Sequence, residues 1–507
     1  MHRPPPHSPC AADVDVALVG FGPVGAVLAN LLVQQGLRVI AFEREAEVYR
    51  LPRAIALDAE CMRVMQSIGV ADALADEMLV GSGMRFVNAE GRLLIDWNRP
   101  PGIGAQGWHP SYRYHQPSLE TTLRAHLSRH AGFSLRTRHE VFALDAQADH
   151  VRVRFEDLNA GRLHDLRAAW VVGCDGARST VRRFMGTELD DLQSHERWLV
   201  IDVILKRDRP DLGDQSIQFC DPARPATYVR GVGARRRWEL MLLPGEDAGD
   251  MTQPERIWSL LSKWITPDDA VLERPASYTF HSVVAQRWRR DRLLIAGDAA
   301  HQTPPFMGQG LCAGIRDASN LAWKLAAVAR GEASPDLLDT YESERSPHVR
   351  AFIEATLELG RVIQETDPQA ARERDARWLQ QPMAFRAPQP RLGPGVHDGT
   401  GRSGTLSEQP FMEDGTRLDD QIGHRSALLV RPALAQQARA LAPASMCVVS
   451  AGSGACAQWL DRAGAAALLL RPDRYIAGLA EHDTGLAPLL ERHLGRIRGP
   501  LIEGGHH

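Results

Sequence analysis

The sequence predicts an α/β protein built on a Rossmann-like dinucleotide-binding domain, with an antiparallel-sheet domain inserted into it and a small α/β domain at its end. Three observations carry that reading. Residues 14–44 follow the order strand, glycine turn, helix, strand. Two later apolar runs, 168–173 and 293–296, read as buried strands that lead into Asp175 and into Gly297-Asp298. The stretch between them, 185–284, changes character and breaks into several short sheet-forming runs.

Val16, Leu18 and Val19 make the first strand, and Gly20, Gly22 and Gly25 fall in the G-x-G-x-x-G pattern. The first glycine permits the turn, the second lets a pyrophosphate approach the backbone, and the third lets helix and strand pack closely. The helix from Pro23 to Gln35 aims its N-terminal N–H groups at that pyrophosphate, and Gly36 suits its C′ position. Val39 to Phe42 form the second strand, which Glu43 ends and Arg44 follows. A carboxylate about 20 residues past the turn can accept both hydroxyls of an adenosine ribose. A lone glycine pattern also occurs in plain tight turns. Here two strands, a helix and a terminal acid surround it, and together they predict a dinucleotide site.

Length and composition bound the alternatives. A chain of 507 residues has room for about two to four domains. Hydrophobic content of 44% and charged content of 24% are ordinary for a globular protein. A net charge of −4 leaves no basic footprint for nucleic acid. The seven cysteines, at 10, 61, 174, 220, 312, 447 and 456, include no C-x-x-C pair. That argues against a zinc site, a disulfide framework and a redox dithiol, and for reduced thiols in the cytoplasm. Met1 to Pro9 lack the apolar core of a signal peptide, and no apolar run approaches the roughly 18 residues that span a membrane. The expectation is a cytoplasmic protein with no metal, nucleic-acid or membrane partner. Gly504 to His507 are set aside as a tail.

Past Glu43, Arg53 precedes a helical pattern through Met62, Met65 and Ile68 that Gly69 stops. Arg53 can reach a phosphate or lie solvated. Residues 83–97 read as a hairpin turning at Glu90-Gly91. A loop rich in Gly, Pro and aromatics ends at Tyr112-Arg113-Tyr114-His115-Gln116-Pro117, and the next helix carries Leu119, Leu123 and Leu127 on one face. Strands near Leu135 and from Val151 to Phe155 precede the 168–173 run, and Thr180 to Phe184 starts a short helix. Within 185–284 the sheet runs are 198–205, 216–220, 227–232 and 237–243, with one helix near Glu255 to Trp264. A long helix then runs to Arg330, with Ile315, Ala318, Ala322 and Leu325 on one stripe, and helix continues to about Gln380. Residues 381–410 hold five Pro and five Gly and mark an irregular connection. Beyond it, strands near 427–430, 447–450 and 466–470 alternate with helices near 433–441 and 454–463.

Only one complete glycine pattern occurs in a strand–helix context, so one dinucleotide is held by a Rossmann unit of its own. Asp298, at a strand's carboxyl end, can hold a ribityl or ribose hydroxyl. Gly308 and Gly310 open a helix with bare N–H groups and the positive end of its dipole. Such a helix start suits the negative charge of a reduced isoalloxazine. The plainer reading is a turn capped by Asp298 before a core helix; Pro304-Pro305 and the spaced glycines favour the flavin.

Together these motifs resemble the single-component FAD-dependent aromatic hydroxylases. The resemblance rests on Gly20 to Gly25 with Glu43, on Gly173-Cys174-Asp175-Gly176-x-Arg178-Ser179, and on Gly297-Asp298-Ala299-Ala300-His301 through Gly310. It covers residues 14–360. Within that family, Pro52-Arg53-Ala54, Tyr114-His115-Gln116-Pro117-x-Leu119-Glu120, Asp221-Pro222-Ala223-Arg224-Pro225 and Arg237-Trp238-Glu239 are similar to 3-(3-hydroxyphenyl)propionate hydroxylases. The segment Leu470-Arg471-Pro472-Asp473-Arg474-Tyr475 resembles the thioredoxin-like C-terminal domain of the phenol hydroxylase group. The resemblance implies an FAD-binding domain at 14–82, 105–184 and 285–380, a substrate-binding domain at 83–104 and 185–284, a linker at 381–410 and a thioredoxin-like domain at 411–503. The last is expected to be redox-inert, and to pack against the rest or to help association into a homo-oligomer.

The activity implied is that of a monooxygenase. Non-covalent FAD is reduced by a transiently bound NADH or NADPH, and one oxygen atom of O₂ goes to the ring carbon ortho to a phenolic hydroxyl. By motif match, Glu43 takes the adenosine ribose, while Arg53 and Gln116 lie near the pyrophosphate and ribityl chain. Asp298 takes the ribityl chain, and Asp175 serves FAD and nicotinamide alike. Pro304 and Gly308 to Leu311 border the isoalloxazine. The substrate implied is a phenolic acid, 3-(3-hydroxyphenyl)propionate or 3-hydroxycinnamate, in aromatic catabolism. Another phenol, a polyketide or an antibiotic is the alternative, and an inactive flavin-binding protein a third. A His or Tyr in reach could favour the phenolate: His115 and Tyr228 are the catalytic candidates, with Tyr112 and Tyr114 beside them, and each has a plain packing role as its alternative. Ile55 stands where the phenol hydroxylase acid would be sought. Arg224 and Arg230 are the candidates for holding a substrate carboxylate.

Overall fold

The structure is a computed structural model, and it describes residues 12–499. Cys10, the start at Met1 to Pro9 and the tail at Gly504 to His507 lie outside the described residues, as do positions 500–503 of the last expected domain.

The first sheet has the strand Val14–Val19 at its centre. Arg162–Gly173 and Val39–Glu43 flank it, Leu293–Ile295 and Phe133–Thr137 lie beyond them, and all these neighbours run parallel. A parallel sheet is covered on both faces, so its strands read as unbroken apolar runs. Val16, Ala17, Leu18, Val171, Val172, Leu294 and Ile295 are fully buried. The helix Pro23–Gln34 packs against the helices Gln116–Leu127 and Gly310–Ala329. Val151–Asp157 and His139–Ala146 extend the sheet by antiparallel pairing on the long strand 162–173. The carboxyl ends of the parallel strands point one way, so the loops after Val19, Gly173 and Ile295 gather at one edge. In an open α/β sheet that edge is where ligands bind.

The second sheet has nine strands. Leu189–Leu205 pairs antiparallel with Ala270–Ala285 and with Arg235–Met241, followed by Ala226–Arg230 and Ser216–Cys220. The hairpin Gly83–Asn88 and Leu93–Asn98 joins the same sheet through a parallel register of Met84 with Ser216. Met383–Ala384 pairs with Ile95 and Asp96, so the irregular connection supplies this sheet with an edge strand. The helix Pro254–Leu261 turns Ile257 and Leu261 into a core with Leu199, Tyr228 and Trp238.

The third unit is a four-stranded mixed sheet in the order Met446–Ser450, Ser426–Val430, Ala467–Leu470, Ile476–Ala480; the first pair is parallel and the others antiparallel. With the helices Ala435–Leu441, Gly454–Ala463 and Leu486–Arg498 it is thioredoxin-like in layout. The strand Ile476–Ala480 and the last helix add to the elements expected. That strand is rich in Ala and Gly, which signal sheet weakly, and Pro488 masks the helix although a first turn tolerates proline. Cys447 donates to the Gln421 carbonyl and Cys456 to the Met412 sulfur, and burial pushes the Cys456 thiol up to about 11. Among the described residues no helix is long and apolar enough to cross a membrane.

Candidate active site

At the glycine turn each glycine has its own reason. Gly20 has φ +89°, and a Cβ there would lie 2.6 Å from the Cys174 carbonyl oxygen. A Cβ on Gly25 would lie 2.5 Å from the Gly20 carbonyl oxygen, whereas one on Gly22 would meet nothing within 4 Å. Two glycines thus close the backbone packing, and the middle one faces open space. The Phe21 peptide is fixed from both sides: its N–H donates to Glu43 Oε2 (2.9 Å), and Arg124 Nη2 donates to its carbonyl (2.8 Å). Glu43 Oε1 accepts the Glu45 N–H at 3.0 Å. Arg44 is exposed and pairs only with Glu45 (3.5 Å).

Asp175 meets this turn from the next strand. Its Oδ2 accepts the N–H groups of Thr180 (2.6 Å) and Val181 (3.2 Å), while its Oδ1 is sealed without a partner. Burial outweighs those hydrogen bonds and raises its carboxyl above the ordinary value. Arg53 is exposed, with its guanidinium 5.1 Å from the Tyr49 ring centroid. Gln116 is buried and works on backbone: its Oε1 accepts the N–H groups of Arg53 (3.0 Å) and Ala54 (2.8 Å), and its Nε2 donates to Glu120 (2.9 Å).

The third loop is tied at both ends. Asp317, fully buried on the helix Gly310–Ala329, accepts the Gly297 N–H (3.1 Å), His301 Nε2 (2.6 Å) and Arg345 Nε (2.9 Å). Burial opposes its charge, but His301 and Arg345 outweigh burial and keep its carboxyl below the ordinary range. Asp298 is exposed between buried Gly297 and Ala299; the crowded protein around it raises its carboxyl, against the pull of His301 and Arg53. Gly308 is left-handed at φ +65°, Pro304 is buried, Leu311 is half-buried, and a Cβ on Gly310 would meet nothing within 4 Å. Open backbone at Gly22 and Gly310, two acids at strand ends and an orphaned acceptor on Asp175 fit an FAD.

From Arg345 the polar contacts run on. Arg345 Nη1 donates to His348 Nδ1 (2.8 Å), which leaves His348 Nε2–H to face the Tyr475 hydroxyl (3.3 Å). That hydroxyl donates to Glu60 (2.8 Å), Glu60 pairs with Arg316, and Arg316 Nη1 donates to Gln309 (3.1 Å). The two ends of the flavin-side loop, Gly297 and Gln309, are thus joined through a tyrosine of the C-terminal unit.

Beside Gly308 and Gln309 a narrow cleft opens between the FAD-binding region and the hairpin of the second sheet. Met84, Trp97 and Met307 form apolar wall; Asp58, Arg99 and Arg113 are its charged groups. Asp58 is paired with Arg316. With Cys61 and Cys312, whose sulfurs lie within 4.8 Å, it forms a possible metal donor set, but Arg316 opposes a cation there. A wider, solvent-open hollow beside Arg431 and His482 lies on the C-terminal unit and shares no residue with the cleft.

Neither catalytic candidate lines the cleft. Tyr228 is buried in the core of the second sheet, its ring 5.1 Å from that of Trp238 and its hydroxyl 3.4 Å from the Gly213 carbonyl. Alternation on its strand turns Ala226 and Tyr228 into that core. His115 precedes the helix Gln116–Leu127 at its N-cap position without a side-chain capping bond, its Nδ1 3.1 Å from Ser118 Oγ. Burial, aided by Arg235, lowers its pKa. The Tyr112 hydroxyl accepts the His109 N–H, and the Tyr114 hydroxyl is sealed without a partner. The Ile55 carbonyl accepts the Tyr114 N–H at 3.2 Å. Arg224 pairs with Glu246 (2.6 Å) and Arg230 with Asp214 (3.2 Å), so both proposed carboxylate anchors already have acids. The sequence reading passed over Arg99, Arg113, Arg124 and Asp317. Asp317 carries a readable signal, an acid beside Arg316 among the apolar residues Ile315, Ala318 and Leu321 of its helix.

Comparison with known proteins gives first the class. The model for an FAD binding domain matches residues 13–356, and that for the HcaD C-terminal domain matches 428–491. The solved structure of the flavin-dependent monooxygenase PieE, in complex with FAD and substrate, shares the fold at a TM-score of 0.83 and 22% identity, over 96% of this chain and 99% of that one. A probable NADH-specific resorcinol 4-hydroxylase of Rhodococcus jostii (strain RHA1) is 38% identical over 96% of this chain and 95% of its own. The 3-(3-hydroxy-phenyl)propionate/3-hydroxycinnamic acid hydroxylase 2 of Burkholderia vietnamiensis (strain G4 / LMG 22486) is 34% identical over 91% of this chain and 93% of its own. This chain belongs to the FAD-dependent aromatic hydroxylases.

Proposed function

We propose that this enzyme uses NADH or NADPH and O₂ to hydroxylate a phenolic acid ortho to its hydroxyl, and that 3-(3-hydroxyphenyl)propionate or 3-hydroxycinnamate is the substrate. The observation that carries the reading is one edge of one sheet that gathers the Gly20–Gly25 turn, Asp175, the Gly297-Asp298 turn and the Gly310 helix start beside an apolar cleft. FAD, when bound, supplies the electrons and the place where O₂ is activated. The chain's residues do the rest. The turn at Gly22 admits the pyrophosphate, Glu43 takes the ribose, and Asp298 takes the ribityl hydroxyls. Arg53, on a loop held by Gln116, would hold the phosphates. Pro304 and Gly308 to Leu311 would border the ring, and Asp175 would serve flavin and nicotinamide alike. Met84, Trp97 and Met307 keep water from the reacting face. Unpaired cysteines suit a reducing cytoplasm.

A second reading is a carboxylate-free phenol such as resorcinol, favoured by the name of the 38% identical relative. A panel of phenols decides between them, scored for NADH oxidation coupled to hydroxylated product. The expected result is tight coupling with the phenolic acids and loose coupling with resorcinol; the reverse overturns the choice of substrate, and a protein that takes up no FAD overturns the whole reading.

A further inference from the structure

The interior of this chain is rich in arginine, and most of it is neutralised within the chain. Arg63 pairs with Asp419, Arg237 with Asp202, Arg316 with Asp58, Arg345 with Asp317 and Arg471 with Glu344. Arg236 and Arg274 make no ion pair among the described residues but donate to backbone carbonyls, and Arg274 also to Tyr278.

Arg113 differs from all of these. It is 8% exposed and ends the strand Ser111–Arg113, where it pairs with Ala56. Its side chain makes one hydrogen bond, Nη2 to the fully buried Ser216 Oγ at 2.8 Å. The rest of its fork has no protein partner among the described residues, and no ion pair includes it. The charge that acts on it is a second cation, Arg99. Burial and that neighbour pull Arg113 down to about 10. Arg99, just past the strand Leu93–Asn98, lies 4.5 Å from the Trp97 ring centroid and likewise has no ion pair among the described residues. Both line the cleft beside Gly308 and Gln309, whose one acid, Asp58, is already held by Arg316.

A desolvated cation without an acid is costly, and two side by side are costlier. A guanidinium fork held by one hydroxyl matches the two oxygens of a carboxylate. We propose that Arg99 and Arg113, with Ser216 orienting Arg113, form the anchor for the carboxylate of an aromatic acid whose ring lies against Met84, Trp97 and Met307. The inference rests on the hydroxylase reading and deepens it, because a neutral phenol offers this pair nothing to neutralise. It moves the anchor from Arg224 and Arg230 to a pair that lines the cleft.

The test uses FAD-loaded full-length enzyme with 3-(3-hydroxyphenyl)propionate and with 3-ethylphenol, a nearly isosteric compound without the acid. Arg113→Met and Arg99→Met should each raise KM for the acid about tenfold to a hundredfold relative to KM for 3-ethylphenol, as loss of a charge-assisted hydrogen bond implies. Arg113→Lys should recover part of it, and Ser216→Ala should shift the same ratio by a smaller factor. FAD content and thermal midpoint are followed in each variant to separate misfolding from lost binding. Equal KM changes for the two compounds would assign the pair to the phenolate or to the fold and overturn the anchor. If no phenol is turned over, the hydroxylase reading fails, and equilibrium dialysis of the acid then judges the anchor alone: Arg113-dependent binding keeps it, and Arg113-independent binding, or none, removes it.

Discussion

Around Arg471 the chain closes every charge on itself; around Arg113 it leaves the charge open. Arg471 and Lys324 converge on Glu344, all three fully buried, with Asp473 also paired to Arg471 and Asn320 bridging Glu344 and Asp473. Arg471 and Lys324 outweigh the burial that disfavours the Glu344 charge and hold its carboxyl far below the ordinary range. This cluster joins the C-terminal unit to two helices of the FAD-binding region, and no ligand is needed to complete it. Gly22, Asp298 and Arg113 are the opposite kind of site, with open space, an exposed carboxylate and an unpaired cation. Groups that close on one another hold the fold, and groups left open belong to what binds.

Substitutions should sort the same way. Gly22→Val has room to fold but fills the place of the pyrophosphate; the purified protein should be colourless, with an unchanged circular dichroism spectrum. A yellow variant of normal flavin content would put the dinucleotide elsewhere. Glu344→Ala should do the converse, leaving buried Lys324 without its acid and Arg471 with Asp473 alone, at a cost of about 3–5 kcal/mol. Chemical denaturation should show that loss, and a change under 1 kcal/mol would mean the cluster behaves like a surface ion pair.

The closed regions also set a pH dependence. Burial, aided by Arg474, lowers His424 to about 4, and burial, with Arg471 and Arg496, lowers His493 to about 4. Both would titrate near 6.5 in the unfolded chain, so the unfolded state binds protons first as pH falls. Their stability is fully present above about 6.5 and is lost progressively toward pH 4. The thermal midpoint should fall across that window, and His493→Gln should flatten the fall; a midpoint that stays level would contradict the burial of both. Asp298→Ala should be the mildest change, weakening FAD by about 1.5–3 kcal/mol at unchanged stability, read by flavin fluorescence titration. A loss of fold instead would move Asp298 to the closed set.

The same division explains what could be read from the sequence. The Rossmann edge was legible because its signals are local: three glycines at fixed spacing, a strand ending in Glu43 and a Gly-Asp turn before a long helix. The inserted sheet was legible as strands. Its partner hairpin at 83–98 joins it across more than a hundred residues, and that pairing leaves no local mark. The directions of Tyr228 and His115 were not legible, because a tyrosine on a strand faces core or cleft according to register, and a histidine before a helix takes its direction from the folded loop. Arg224 looked available, yet Glu246 lies opposite it in space. Arg113 sat unremarked inside a quoted motif, since lacking an acid is a property of the folded neighbourhood and not of the letter R.

Tyr475 gives the molecule a constraint on inheritance. Its hydroxyl sits between Glu60 and His348, so one side chain of the last unit closes a ring of contacts whose other members come from helices 415 and 127 residues earlier. The C-terminal unit is therefore no detachable module. A chimera that swapped it for a foreign thioredoxin-like unit would have to bring matching partners at positions 60, 344 and 348. Recombination at the boundary near residue 411 should be tolerated only between parents that share this lock.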